Sequence, residues 1–152
     1  MTLNPVEPTV TLRVPALAEY VDLVRLTLYG IASKLGFLYE EIEDMKVAVS
    51  EACNNAVLHA YDGAGQSGMM EIRFYAAERE LTIIVKDEGR SFEPAPEGSA
   101  SPALHGKTLD EIQAGGLGLY LMQALMDEVE VRSENGTEVV LTKRRSRSEE
   151  MA

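Results

Sequence analysis

Hydrophobic residues along this chain follow a helical spacing in two early segments. Apolar residues recur every three or four positions from residue 21 to residue 35, and again from Tyr39 to Tyr61. Gly36 follows the first segment, and glycine commonly ends a helix in the left-handed conformation. We therefore predict a first helix that ends near Gly36 and a second helix from Tyr39 to Tyr61.

Runs that alternate or are rich in β-branched residues predict five strands. They cover Thr9 to Val14, Met69 to Tyr75, Leu81 to Lys86, Glu128 to Ser133 and Glu138 to Lys143. The second and third are predicted to form a hairpin, and the last two to turn at Glu134-Asn135-Gly136. A further apolar helix runs to about Leu125 or Met126. These elements predict an α+β fold, a two-layer sandwich with helices on one face of a mixed, mostly antiparallel sheet.

Polar residues share another face of the second predicted helix. Glu51, Asn55 and His59 follow one another at four-residue intervals, so at about 100° per residue they lie on one side. The solvated side of an amphipathic helix would show the same pattern. A carboxylate and a carboxamide one turn apart also suit phosphoryl transfer, with Glu51 accepting a proton and the Asn55 oxygen binding Mg²⁺. His59 fits a ligand contact or a hydrogen-bonded helix end equally well.

The strand that ends at Asp87 leads into an Asp-x-Gly sequence that closes with Gly89. An Asp carboxylate accepts a hydrogen bond from an exocyclic amine such as that of adenine, and glycine leaves room for close backbone approach. Asp-x-Gly is also a common turn signal. By itself this sequence indicates either a purine contact or a turn.

Three glycines precede the last predicted helix, at Gly115, Gly116 and Gly118. A glycine-rich helix start presents free N–H groups and the positive end of the helix dipole, which suits phosphates. The spacing matches neither a P-loop nor a Rossmann fingerprint. A flexible loop that enters a core helix is the other interpretation.

The segment between Gly89 and Gly115 is long and rich in Pro, Ser and Gly, with only a short helical possibility around Thr108 to Gln113. A loop of this length in a compact domain is usually a functional lid or a disordered linker. Its position between the candidate adenine and phosphate elements favours a lid over ATP, at about residues 89–115. Lys107 is a candidate phosphate contact there, although a solvated lysine would fit as well.

In this order, the three elements resemble the N, G1 and G2 boxes of the GHKL ATPase superfamily. Within that superfamily the chain resembles the bacterial anti-sigma serine kinases, specifically the anti-sigma-B branch, over nearly its whole length. The matching segments are Val14–Ala16, Glu19–Val21, Arg25–Leu28, Glu41–Lys46, Ala48–Val57, His59–Tyr61, Asp87–Gly89, Gly115–Met122 and Leu125–Val129.

The resemblance implies a role for each matching site residue. Glu51 would be the general base for a substrate serine, and Asn55 would bind Mg²⁺ beside the triphosphate of ATP. Asp87 would bind the adenine amine, with Gly89 beside it and Thr137 supporting it at the base. The wider superfamily often has a second glycine at the position of Ser91.

By the same resemblance, Gly116 and Gly118 would open the helix that holds the phosphates, in a two-layer sandwich of the GHKL, or Bergerat, type. Kinases of this group, as homodimers, sequester an alternative sigma factor of the stress-response sigma-B type when loaded with ATP. They phosphorylate a serine of a STAS-type anti-anti-sigma antagonist. Arg25, a charged residue in an otherwise apolar helix, is a candidate contact to these partners or an ordinary snorkelling arginine.

Composition is consistent with a single ATP-binding kinase domain at residues 1–152. The chain has 152 residues and 45% apolar content, enough for one core. We find no apolar run long enough to span a bilayer and no signal peptide pattern, so no membrane association is expected. The single cysteine, Cys53, lies on an apolar stripe, which favours a buried thiol. A cytoplasmic location is the expectation.

The formal net charge of −11 argues against direct nucleic-acid binding, because a phosphate backbone requires a basic surface. Basic residues do cluster near the end of the sequence, at Lys143, Arg144, Arg145 and Arg147. Such a run is more often a solvated tail, and we expect a flexible basic tail at about residues 144–152. Protein partners are therefore favoured over nucleic acid.

Three other functional classes are distinguishable by experiment. An ATP-gated module that binds a sigma factor without phosphoryl transfer is the first alternative, and phosphorylation of a partner separates it from a kinase. A histidine-kinase fragment would need a phosphoacceptor histidine on a dimerisation helix, whereas the only histidines are His59 and His105. A scaffold that binds no nucleotide would make three ordered motifs coincidental, and an ATP titration tests it.

Overall fold

The computed structural model describes the backbone of residues 8–60, 68–87, 109–133 and 136–146, and their side chains apart from 59, 60 and 109–116. In chain order the elements are β1 (Val10–Pro15), a 3₁₀ helix (Ala18–Tyr20), α1 (Val21–Leu35), α2 (Tyr39–Ala60), β2 (Met69–Ala76), β3 (Glu80–Asp87), α3 (Leu109–Leu125), β4 (Glu128–Arg132) and β5 (Thr137–Arg144).

The strands form one sheet in the order β1-β2-β3-β5-β4. Each neighbouring pair is antiparallel. The hairpins β2-β3 and β4-β5 are the two that the sequence predicts, and β5 rather than β4 lies next to β3. The predicted fold class is confirmed.

Side chains of β2 and β3 alternate between a buried and a half-buried face, as the twofold periodicity of a strand requires. The inner face carries Met70, Ile72 and Phe74 from β2, and Ile83 and Val85 from β3. Helices α1 and α2 pack against β2, and α2 also packs against β3 and β5. The core therefore lies between the sheet and the helices. In the described part of the chain, no helix is both long and apolar enough to cross a bilayer.

Helix α1 ends as the sequence predicts. Gly36 has a φ of 87°, in the left-handed region that favours glycine. The Phe37 N–H then donates to the Ala32 carbonyl at 3.1 Å. The chain enters α2 directly afterwards, where the Leu38 N–H donates to Glu41 Oε1 at 2.8 Å. The Glu41 side chain, in the first turn of α2, thus accepts a hydrogen bond from the backbone of the residue before the helix, as in one half of a capping box.

The end of the chain is ordered further than the sequence suggests. Arg144 is the last residue of β5, so it does not belong to a flexible tail. The Arg145 N–H donates to the Arg79 carbonyl at 2.8 Å, and the Ser146 N–H donates to Glu41 Oε2 at 2.9 Å. Backbone contacts to the β2-β3 turn and to α2 therefore hold these residues, and the rest of the predicted tail lies outside the described residues.

Helix α3 begins at Leu109 instead of at the glycines, so it joins the short helical possibility around Thr108 to Gln113 to the helix predicted after the glycines. Gly115, Gly116 and Gly118 therefore lie inside the helix, and the last part of the predicted lid is helical. The residues from Leu109 to Ala114 include good helix formers and two acidic residues near the start, which favour a helix N-terminus. Each glycine costs a helix interior only about 1 kcal/mol relative to alanine, so the helix continues through them. The remainder of the lid, including Lys107, lies outside the described residues.

Candidate active site

Helices α2 and α3 pack against each other, and Glu51 faces Gly118 across this contact. Gly118 is buried, and a Cβ built on it would lie only 2.8 Å from Glu51 Oε1. The absence of a side chain at this position leaves the space that the carboxylate occupies. The structure thus brings a predicted base and a predicted phosphate-loop glycine together, although they are far apart in the sequence.

Asn55 lies one turn after Glu51 on α2, and both side chains are half-buried. Residues four apart on a helix are surface neighbours, so the carboxylate and the carboxamide share one face. Across the described residues, no group of three or more His, Cys, Asp or Glu side chains is arranged to hold a metal. Mg²⁺ commonly takes only one or two protein ligands and completes its shell with phosphate oxygens and water. The single carboxamide of Asn55 is compatible with that pattern, and its role as a Mg²⁺ ligand stays a prediction.

Asp87 and Thr137 meet at the other predicted part of the site. Asp87 is the last residue of β3, is only 5% exposed, and lies directly opposite Thr137, the first residue of β5. Gly136 precedes Thr137 with a φ of 102°, and a Cβ built on it would lie 2.5 Å from the Asp87 carbonyl oxygen. Glycine at this position therefore allows β5 to begin against the end of β3. Gly89 lies outside the described residues.

The Glu51–Gly118 pair and the Asp87–Thr137 pair belong to elements that pack on each other. Helix α2, which carries Glu51 and Asn55, contacts β3 and β5 and also α3. Gly116 lies in α3, two residues before Gly118. Helix α2 therefore contacts both the strand that ends at Asp87 and the helix that contains the glycines. His59 is within α2, and its side chain lies outside the described residues.

Cys53 lies on the buried side of the same helix and takes no part in this arrangement. It is fully buried, and burial raises the pKa of the Cys53 thiol to about 12, partly offset by the nearby Arg25 charge. A thiol that remains protonated near neutral pH is a poor nucleophile. The structure agrees with the expectation of a structural cysteine.

Sequence patterns did not single out two contacts close to this site. Arg25 Nη1 donates to Ser50 Oγ at 2.7 Å, which joins α1 to the residue that precedes Glu51. Lys143 Nζ donates to the Leu125 carbonyl at the end of α3, at 2.7 Å. The inward position of Lys143 could have been predicted from the sequence. Side chains alternate along a strand, so Lys143 lies on the same inner face as the apolar residues of β5.

Known proteins give an independent test of these predictions. The family model for the histidine kinase-like ATPase domain matches residues 14–143. The serine-protein kinase RsbW of Bacillus pumilus is 49% identical over 93% of this chain and 88% of its own length. RsbW of Bacillus subtilis is 49% identical over 88% of this chain and 84% of its own length. This chain belongs to the RsbW family of serine-protein kinases.

Solved structures with the same fold include more distant proteins. The crystal structure of the RsbU and RsbW domains of a Mycobacterium tuberculosis protein aligns with a TM-score of 0.62 at 23% identity, over 91% of this chain and 32% of that one. The SiaB-SiaC complex of Pseudomonas aeruginosa aligns with a TM-score of 0.56 at 12% identity, over 90% of this chain and 89% of that one. At these identities the likeness concerns the fold alone.

Membership of the RsbW family confirms the predicted anti-sigma kinase class and the protein-serine kinase activity. It also confirms that ATP is a substrate, because both the ATPase domain and the kinase activity require it. The roles of individual residues in this RsbW-family kinase stay predictions, as does the use of Mg²⁺.

The variant Gly118→Ala is expected to keep the fold and to slow phosphoryl transfer about 10- to 100-fold, the scale expected for a misplaced catalytic group. A methyl group at this position would meet Glu51 Oε1 and push the flexible carboxylate aside. Alanine is preferred over glycine inside a helix by about 1 kcal/mol, so the thermal midpoint should hold or rise. Steady-state kinetics and a thermal melt measure the two effects.

Gly30→Ala is the matched control for that variant. Gly30 lies inside α1, and no atom lies within 4 Å of a Cβ built on it. It should gain helix stability with no change in the transfer rate. If Gly118→Ala transferred phosphate at the wild-type rate, the position of the Glu51 carboxylate beside α3 would not matter for the reaction.

Proposed function

We propose that this RsbW-family kinase controls a cytoplasmic partner-switching circuit, as a single domain that acts as a homodimer. Loaded with ATP, it sequesters an alternative sigma factor of the stress-response sigma-B type. It transfers the γ-phosphoryl group of ATP to a serine of a STAS-type anti-anti-sigma antagonist. The observation that carries the proposal is the Glu51 carboxylate beside Gly118, where α2 meets the glycine-containing helix.

Glu51 acts as the general base in this proposal. The serine oxygen forms a bond to the γ-phosphorus, the bond from that phosphorus to ADP breaks, and the serine proton passes to the Glu51 carboxylate. Glu51 is half-buried, so a partner's serine can reach it from solvent. Catalysis then depends chiefly on positioning and electrostatics, as in other phosphoryl transfers.

Asn55 is the proposed magnesium ligand. Its side-chain oxygen is one turn from Glu51, which would hold the cation next to the reacting phosphate without occupying the base. Mg²⁺ at this position would supply positive charge to the phosphate oxygens of ATP. One protein ligand is sufficient, since the phosphates and water provide the others.

Asp87 is the proposed adenine-binding residue, supported by Thr137 and with close backbone approach at Gly89. The Asp87 carboxylate is only 5% exposed at the end of its strand, so little solvent competes for a hydrogen bond to a single amine. Thr137 lies opposite it across the β3-β5 pair and fixes the base of the site.

Gly116 and Gly118 are the proposed phosphate-binding positions. Backbone N–H groups in the middle of a helix are already bonded, whereas those in a first turn are free to bind an anion. Helix α3 continues through both glycines back to Leu109, so phosphate binding requires the helix to begin at the glycines when ATP is present. Glycine favours such a break because it is a poor helix former.

The proposed partner surface is a groove along α1 and α2. It is lined by Asp22, Arg25, Leu26, Tyr29 and Lys46. Leu26 is 68% exposed and Tyr29 is 48% exposed, so apolar contact area is available. Arg25 pairs with Asp22, and Lys46 pairs with Glu43 at 3.1 Å, so charged side chains flank the apolar surface. The groove therefore fits a protein segment that presents charged and apolar side chains together.

Affinity capture from the host's lysate tests the circuit, with this chain as bait in Mg-ATP and in Mg-ADP and with mass spectrometry to identify the captured proteins. A sigma factor enriched with ATP and a small antagonist enriched with ADP are the expected result. Purified antagonist then receives radiolabelled phosphate from ATP on a serine. Capture of the sigma factor without phosphorylation of any partner would favour the ATP-gated binding module instead.

Arg25→Ala is expected to weaken capture of the sigma factor by about tenfold or more, the loss of a typical interface hot spot. Arg25 lies in the groove, where it pairs with Asp22 and donates to Ser50. ATP affinity should not change. Lys34→Ala, which removes a basic residue from the last turn of the same helix, is the control. Equal affinity for wild type and Arg25→Ala, measured by fluorescence anisotropy, would exclude the groove.

A further inference from the structure

We infer that Lys143 is a positioning residue of the kinase reaction. It aligns α3 with α2 through a contact at the C-terminal end of α3, away from the reacting groups. The inference rests on the proposed roles of Glu51 and of the glycines of α3. Lys143 lies in β5 and is the first residue of the basic run that is, from the sequence alone, more often a solvated tail.

The Lys143 ammonium group contacts both helices. Its side chain is 14% exposed, and Nζ donates to the Leu125 carbonyl at 2.7 Å and lies 3.9 Å from Asp44 Oδ2. Leu125 is the last residue of α3, where carbonyl groups have no partner within the helix and a cation is favoured by the helix dipole. Asp44 belongs to α2. One charge therefore joins β5, the end of α3 and the first half of α2.

These contacts define how α2 and α3 run past each other. Gly118 approaches Glu51, and Leu125 is joined through Lys143 to Asp44. Seven residues forward along α3 thus correspond to seven residues backward along α2, so the two helices are antiparallel. At 1.5 Å per residue, the Lys143 contact lies about 10 Å along the helix from the Glu51 contact. A stiff helix transmits a shift at one of these points to the other.

Lys143 can be removed without releasing α3 from the sheet. The Asp127 N–H donates to the Thr142 carbonyl at 2.9 Å, and the Arg144 N–H donates to Asp127 Oδ2 at 2.6 Å. These bonds fix where the chain leaves α3, but they contact β5 and not α2. Among these anchors only Lys143 also contacts the helix that carries Glu51. Its loss is therefore expected to change the alignment of the two helices more than the fold.

The test is Lys143→Met in the full chain, which keeps most of the apolar stem and removes the ammonium group. We expect the kcat for phosphoryl transfer to the antagonist to fall about tenfold, because small misplacements of reacting groups have large effects on rate. The KM for the antagonist and the affinity for ADP should change little. Lys143→Arg, which can donate to the same carbonyl, should restore most of the rate. Lys86→Met, a half-buried lysine of β3 on the outer face of the sheet, is the control.

A purely structural role predicts a different result. It would lower the thermal midpoint, and the loss of rate would disappear after correction for the unfolded fraction. An alignment role also predicts that Lys143→Met and Gly118→Ala are not additive in kcat, because both change the position of the Glu51 carboxylate relative to α3. If Lys143→Met does not fold, Lys143→Gln is measured in its place, with the same expected fall in kcat.

The outcomes separate this inference from the proposed function. A kcat for folded Lys143→Met equal to that of Lys86→Met, with an active wild type, would overturn the inference alone. A wild type that binds Mg-ATP and yet transfers no phosphate to any partner would overturn both. A selective fall in kcat that arginine rescues would support both.

Discussion

Glu51→Gln is expected to lower phosphoryl transfer to the antagonist by roughly 10²- to 10⁴-fold, the usual contribution of a general base. Glutamine keeps the size of the side chain and its place beside Gly118, but it cannot accept the serine proton. Binding of Mg-ATP should be nearly unchanged, because Asn55 and Asp87 are intact. Glu51→Ala should have the same effect on transfer. Single-turnover transfer of labelled phosphate and nucleotide titration measure the two properties separately.

The control for Glu51 is Glu40→Gln, an exposed acidic residue in the first turn of the same helix. It changes the net charge of α2 by the same amount and should leave the rate unchanged. Wild-type transfer by Glu51→Gln would mean that another group accepts the proton. Loss of ATP binding in that variant would instead assign Glu51 to the nucleotide and not to the serine.

Asp87→Asn is expected to weaken ATP and ADP binding by roughly 10- to 100-fold, the loss of one hydrogen bond to a charged acceptor. The carboxylate is 5% exposed, and a neutral amide is easier to bury than a charge, so the variant should stay folded. Thr137, which lies opposite, is unchanged. Titration with both nucleotides gives the affinities, and far-UV circular dichroism checks the fold.

A neighbouring acid on the other side of the sheet serves as the control for Asp87. Glu138 follows Thr137 in β5 and pairs with Arg132 in β4 at 3.5 Å. Because successive strand residues point to opposite faces, Glu138→Gln removes a charge nearby without reaching the inner face. It should bind ATP normally. Unchanged nucleotide affinity in Asp87→Asn would exclude the adenine contact.

Local patterns in the sequence were sufficient for most of the elements, and they indicated candidate site residues whose roles stay predictions. Helix and strand periodicities depend on neighbours a few positions away, so α1, α2 and the two hairpins could be predicted, including the end of α1 at Gly36. The start of α3 could not. Glycines permit a helix to begin, but they permit it to continue at a cost of about 1 kcal/mol each, and the preceding helix formers decide between the two.

The tertiary structure decided which of these residues meet. The sequence alone determined a two-layer α+β domain, the residue types of an ATP-dependent serine kinase, and the order of its motifs. In the sheet, β5 lies between β3 and β4, and this order places Thr137 opposite Asp87. The order depends on how whole strands bury their apolar faces. The antiparallel packing of α2 on α3 brings Glu51 to Gly118 and turns Lys143 from a member of a basic run into a contact between two helices. Such contacts join residues that are distant in sequence. Periodicity can place a side chain such as Lys143 on the inner face of the sheet, but it is local and does not identify the residue that this side chain meets.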